Sequence, residues 1–162
     1  MKNIFKIFFQ SIEFITFVIL NKILKLLSFN ATSNLGGFLV STFGPFTKYL
    51  NIITKNLENL ESEKSLILSI SKQNLSQTGR VFFEFFNLNK FNWESITIKN
   101  EKYLQEIKAY KGSKIFISAH IGNWEITRNY LLNLGFKLHS VYRHANNQKI
   151  DQYIQNNRNR AN

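Results

Sequence analysis

Lys114-Ile115-Phe116-Ile117-Ser118 is a short apolar run, set between the turn Lys111-Gly112 and, after Ala119-His120-Ile121, the glycine at Gly122. Five residues rich in isoleucine and phenylalanine, closed by turn formers, are too short for a helix and read as a buried strand. Asn123 to Leu134 then reads as a helix closed by Gly135. Downstream, Leu138 to Arg143 reads as a second strand and Gln148 to Arg158 as a final helix. Upstream, Ser95-Ile96-Thr97-Ile98 reads as a strand, and Glu101 to Tyr110 as a helix with Leu104 and Ile107 on one face. Strand and helix alternating at this spacing call for βαβ units. The expected fold class is α/β: N-terminal membrane-associated helices followed by the first βαβα units of a mixed, mostly parallel sheet.

The front of the chain has a different texture. Residues 1–30 are its most apolar part, and Ile7 to Asn21 contains one charge, Glu13. No window reaches the roughly 18–20 uncharged residues of a clean transmembrane helix. Lys2, Lys6, Lys22 and Lys25 flank the run where their stems can lie along an apolar surface and their ammonium groups reach a headgroup layer. No small-residue cleavage site ends it, which favours a retained anchor, interfacial or marginally spanning, over a signal peptide or a buried core helix. Asn34-Leu35-Gly36-Gly37 and Gly44-Pro45 predict broken short helices. Pro45 suits the first turn of a helix to about Leu57. Ser62 suits the N-cap of a longer helix from Glu63 through Phe86, and Asn87 to Trp93 reads as a loop. Three regions follow: a membrane-associated helix at 1–30, a helical region at 31–93, and the first half of an α/β domain at 94–162.

Composition narrows the function classes. Sixteen phenylalanines and 44% hydrophobic residues in 162 are enough to bury a core, which rules out global disorder. The absence of cysteine excludes disulfides, cysteine-based zinc sites and a cysteine nucleophile. The 21 Lys+Arg against 10 Asp+Glu give a formal net charge of +11. Such an excess calls for an acidic partner: nucleic acid, an anionic membrane surface, or an acidic protein or phosphorylated substrate. A solvated lysine-rich surface accounts for the charge equally well.

Chemistry concentrates in His120-Ile121-Gly122-Asn123-Trp124-Glu125. On one continuous helix, side chains five positions apart stand about 140° out of phase. His120 and Glu125 can therefore meet only if His120 precedes the helix and the Gly122 turn folds it back over the helix start. Such a pair suits general-base chemistry. A neutral imidazole takes a proton from a hydroxyl, while a carboxylate on its other nitrogen fixes the tautomer and stabilises the imidazolium. No protein nucleophile accompanies the pair, so the nucleophile is a hydroxyl of the substrate. Spacing alone fits equally a loop histidine and a glutamate that complements a helix N-terminus.

His120 to Glu125 resembles the H-x4-[D/E] motif of the bacterial lipid A biosynthesis acyltransferases, within the lysophospholipid acyltransferase superfamily; the Gly-Asn-Trp filling is the specific part. Val141-Tyr142-Arg143 with Asn147, Asp151 and Arg158 resembles that family's segment downstream of the motif, and Gly79-Arg80 with Glu84 its helix before the first strand. The sequence departs from the pattern at His144 and Gln148, where the family has proline. It is also shorter than the family's chains, so it is expected to hold their first half and to leave the strands near Ile115 and Val141 with an unpaired edge.

The resemblance implies transfer of a fatty acyl group from acyl carrier protein, or coenzyme A, to a hydroxyl of a lipid A precursor at the cytoplasmic face of the inner membrane. It implies no metal and no cofactor beyond the acyl thioester. His120 becomes the general base, Glu125 its orienter, and Arg143 the cation that binds substrate or the developing oxyanion. Asn123 and Trp124 shape the turn and pocket, while Tyr142, Asn147, Asp151 and Arg158 position substrate or structure. The implied partners are acyl carrier protein, a phosphorylated glycolipid and an anionic membrane. Alternatives are an acyltransferase for another lysolipid or glycolipid, an inactive membrane-bound fragment, and a basic nucleic-acid-binding protein. The last is disfavoured because runs such as Val81-Phe82-Phe83-Glu84-Phe85-Phe86 are patterned for a core.

Overall fold

A computed structural model describes residues 2–60, 63–119 and 121–159. Seven α-helices follow one another: α1 (Lys2–Leu24), α2 (Phe29–Phe43), α3 (Lys48–Leu57), α4 (Lys64–Glu84), α5 (Glu101–Ala109), α6 (Trp124–Asn133) and α7 (Gln148–Asn159). Short 3-10 turns lie at Gly44–Phe46, Phe85–Lys90 and Trp93–Ser95. Among the described residues there is no strand.

The α/β expectation is thereby corrected. Ser95 closes a 3-10 turn, and the runs at Lys114–Ser118 and Leu138–Arg143 carry no regular secondary structure. A strand is stable only against a ladder partner that takes up its N–H and C=O groups. Here the residues that should fill a sheet's core face solvent: Ile115 is 90% exposed, Ile117 94% and Val141 fully. Phe116, between the two isoleucines, packs edge-on against Phe136 with ring centroids 5.3 Å apart. The first run is thus held to Phe136, ahead of the second, by side-chain packing rather than by a ladder.

The expected break at Asn34–Gly37 is also corrected, because α2 runs through both glycines. Gly36 meets Gly79 of α4 backbone to backbone: a Cβ on either residue would strike the other's carbonyl oxygen. The α2–α4 crossing is the most extensive helix pairing in the fold. The glycines therefore serve close approach, not a turn. Pro45 lies in the 3-10 turn, and α3 starts after it, with Thr47 Oγ1 accepting from the Tyr49 N–H at 3.3 Å. Ser62, the expected cap of α4, lies outside the described residues.

Residues 85–90, where the helix is expected to run to Phe86 and a loop to begin at Asn87, form a 3-10 turn whose Asn87 is fully buried. Asn87 Nδ2 donates to Leu24 O at 2.7 Å and to Thr32 Oγ1 at 2.6 Å, satisfying a carbonyl at the end of α1. Lys90 Nζ donates to Lys25 O and Leu27 O at 2.6 and 2.7 Å, a cation at the negative end of the same helix. Phe17 and Leu24 of α1 pack against Phe83 and Phe86, with Ile150 and Tyr153 of α7 beside them. Through this core α7 reaches back to the first helix.

Candidate functional site

Asn123 starts the site. Its side-chain oxygen accepts from the Glu125 N–H at 3.0 Å, capping α6, and the preceding Gly122 has φ of 65°, a left-handed conformation that favours glycine. The cap places Glu125 in the first helical turn, where the helix dipole favours a carboxylate. Glu125 is buried, and its Oε1 is ion-paired with Arg158 of α7. Its Oε2 has no hydrogen-bond partner among the described residues. The Arg158 guanidinium sits 5.1 Å from the centre of the Tyr142 ring and 5.9 Å from that of Phe85.

A second carboxylate lies behind the first. Asn123 Nδ2 donates to Glu84 Oε2 at 2.7 Å, and Ser33 Oγ donates to Glu84 Oε1 at 2.6 Å. Arg80 completes this cluster, with Nη1 3.3 Å from Ser33 Oγ and 2.7 Å from Asn34 Oδ1. Helices α2 and α4 therefore hold the residue that caps α6. Arg128, one turn after Glu125, has its guanidinium pKa lowered by burial; Glu125 opposes that shift and Arg158 adds to it.

Glu125, Arg128 and Arg158 line two clefts at once. One, of about 650 Å³, is bounded also by Asn21, Lys25, Phe86, Lys90, Trp93 and Asn129. The other, of about 1260 Å³, has Phe116, Leu131, Phe136 and Trp124 in its wall together with Lys108, Lys111, Lys114 and Lys137. Both clefts mix aromatic or aliphatic side chains with cations, and the buried carboxylate lies between them.

The remaining expected residues are distributed as follows. His120 lies outside the described residues. Trp124 is 40% exposed at the start of α6. Arg143 is exposed, without an ion pair or hydrogen bond among the described residues. Asn147 caps α7, its Oδ1 accepting from the Lys149 N–H at 3.0 Å, and its Nδ2 donates to Gln10 O and Glu13 Oε2 at 2.7 and 2.9 Å. Asp151 accepts from the Ala145 N–H at 2.9 Å and Gln155 Nε2 at 2.7 Å, with His144 Nδ1 at 2.9 Å. The Ala145 bond first, then the His144 and Gln155 bonds, hold its carboxyl below the usual range against the effect of burial. Asn147 and Asp151 are thus bonded at the start of α7, and Arg158 is a partner of Glu125. Sequence reasoning gave Ser33 and Arg128 no role. Arg128 was detectable as a cation three residues after Glu125; the Ser33–Glu84 contact spans 51 positions and leaves no local signal.

The helical core thus presents a buried, arginine-paired glutamate between two clefts. The family model for bacterial lipid A biosynthesis acyltransferases matches residues 5–162, and the chain belongs to that family. No curated protein and no solved structure matches it.

Proposed function

We propose that the protein is an O-acyltransferase that moves a fatty acyl group from an acyl carrier protein or coenzyme A thioester to a hydroxyl of a lipid A precursor, at the cytoplasmic face of the inner membrane. The family match across residues 5–162 carries this reading, because it takes in the whole His120–Glu125 motif. The environment of Glu125 supports it: one carboxylate oxygen is held by Arg158, and the other has no partner among the described residues. That second oxygen is available to a histidine N–H.

In this mechanism His120 removes the acceptor's hydroxyl proton as the oxygen attacks the thioester carbonyl. Glu125 fixes the tautomer of the base and stabilises the imidazolium. The tetrahedral oxyanion collapses to the ester, the carbon–sulfur bond breaks, and the imidazolium returns its proton to the thiolate. Arg143, exposed and without an ion pair among the described residues, is the cation proposed for the oxyanion or an acidic substrate group. The cleft lined by Phe116, Leu131 and Phe136 offers apolar wall for the acyl chain, with lysines at hand for an acidic group. The lysine-rich surface suits an acidic carrier protein and a phosphorylated acceptor; no metal or further cofactor takes part, and nucleic acid has no place in this scheme.

The test is transfer of a radiolabelled acyl group from acyl carrier protein to a tetraacylated lipid A precursor by the purified chain in detergent. His120→Ala is expected to lower turnover by about 10²–10⁴-fold, and Glu125→Gln to lower it in the same direction. Turnover that survives His120→Ala overturns the mechanism.

A further inference from the structure

Helix α1 is apolar on its outward face as well as where it meets the core. Phe5, Phe8, Phe9, Ile12, Ile15, Ile19 and Ile23 are all 45–64% exposed and recur at three- and four-residue steps, which places them on one face. The opposite face turns inward and carries Phe17 and Leu24 of the core together with polar groups bonded to α7. Gln10 O and Glu13 accept from Asn147, Ser11 Oγ accepts from Lys149 Nζ at 3.1 Å, and Asn21 is hydrogen-bonded to Tyr153. The apolar stripe runs from Phe5 to Ile23, about 27 Å.

By length and composition, Phe5–Leu24 is able to cross a membrane. Its contacts argue otherwise. Were α1 to span, the bilayer midplane would fall near residues 14 and 15, and the points where α7 is fastened, from Gln10 to Asn21, would lie within about 10 Å of it. That places Lys149 and the irregular, partly exposed backbone at Asn146-Asn147 at hydrocarbon depth. Exposed irregular backbone does not occur in hydrocarbon, where its polar groups have no partner. Laid flat, the same helix buries only its outward stripe, keeps α7 on the aqueous side, and leaves Lys6, Lys22 and Lys25 at the level of lipid phosphates.

We infer that α1 lies in the plane of one leaflet as a monotopic anchor, with the Phe5–Ile23 stripe in the acyl boundary of an anionic bilayer and α7 above it. This rests on the membrane location proposed above and adds its geometry. An apolar face with Thr16 as its one polar member fits lipid, and the charge of +11 is complementary to an anionic surface.

The chain has no cysteine, so single cysteines report position directly. Lys6→Cys, Lys25→Cys, Ile12→Cys and Ile19→Cys are synthesised in a cell-free system with sealed, inverted inner-membrane vesicles, floated, and treated with a membrane-impermeant maleimide before and after detergent. All four sites are exposed on the protein, so differences report the lipid. The expected result is that Lys6→Cys and Lys25→Cys react before detergent, whereas Ile12→Cys and Ile19→Cys react only after it. Reaction at one end before detergent and at the other only afterwards means a spanning helix and overturns the in-plane geometry alone. Vesicle-bound chain whose Ile12→Cys and Ile19→Cys react freely overturns the stripe as the lipid contact. Chain that stays at the bottom of the gradient, single or self-associated, overturns the membrane reading itself.

Discussion

At the scale of single residues, the Glu125–Arg158 pair concentrates the energetics of the site. Removing one partner of a buried ion pair leaves the other desolvated and uncompensated, whereas removing both exchanges it for ordinary packing. Arg158→Met therefore strands a carboxylate that is 3% exposed and is expected to destabilise the fold by about 3 kcal/mol. Adding Glu125→Gln to Arg158→Met is expected to recover most of that loss. Urea unfolding of the two single variants and the double variant checks both statements; equal loss in Arg158→Met and the double variant refutes the coupling. The sequence disclosed the glutamate through its motif but not the arginine's role, because the pair closes across 33 positions. At the end of a polar helix, Arg158 reads equally well as a solvated cation.

Among the elements, what could be read in the sequence follows from how local each element's forces are. Helices α5, α6 and α7 form where periodicity and caps placed them, because their hydrogen bonds close within four residues. The strands at Lys114–Ser118 and Leu138–Arg143 did not form, because a strand's partners are remote and its composition says nothing of their presence. Glycine misled in the other direction: Gly36-Gly37 reads as a breaker, yet it is where two helices touch. That contact gives an inverted expectation. Replacing an exposed helical glycine by alanine stabilises by about 1 kcal/mol. At Gly79 the new methyl group would meet the Gly36 carbonyl and the Val40 side chain, so Gly79→Ala is expected to destabilise by about 1–3 kcal/mol. Thermal unfolding followed by helical circular dichroism measures it, and a raised midpoint would refute the close crossing.

Over the whole molecule, α7 ties the parts together. Asn147 and Tyr153 fasten it to α1, and Arg158 fastens it to the start of α6. The proposed membrane anchor and the proposed catalytic carboxylate are thus joined by a helix about 18 Å long. Asp151 holds the segment that leads into this helix, through the Ala145 N–H, His144 and Gln155. Its pKa is depressed in the folded state, so the unfolded chain binds its proton more readily. The stability from these bonds is complete above the ordinary carboxylate range and is lost as pH falls through the depressed value. Acidification is therefore expected to loosen α7 at its N-terminal end. Amide exchange at Ala145 and residues 149–152, corrected for intrinsic rates, is expected to show protection that declines at acid pH. Asp151→Asn is expected to show low protection at neutral pH and to remove most of that decline. If Asp151→Asn keeps the wild-type profile, the carboxylate does not fasten the helix, and the link between anchor and site rests on Asn147, Tyr153 and Arg158 alone.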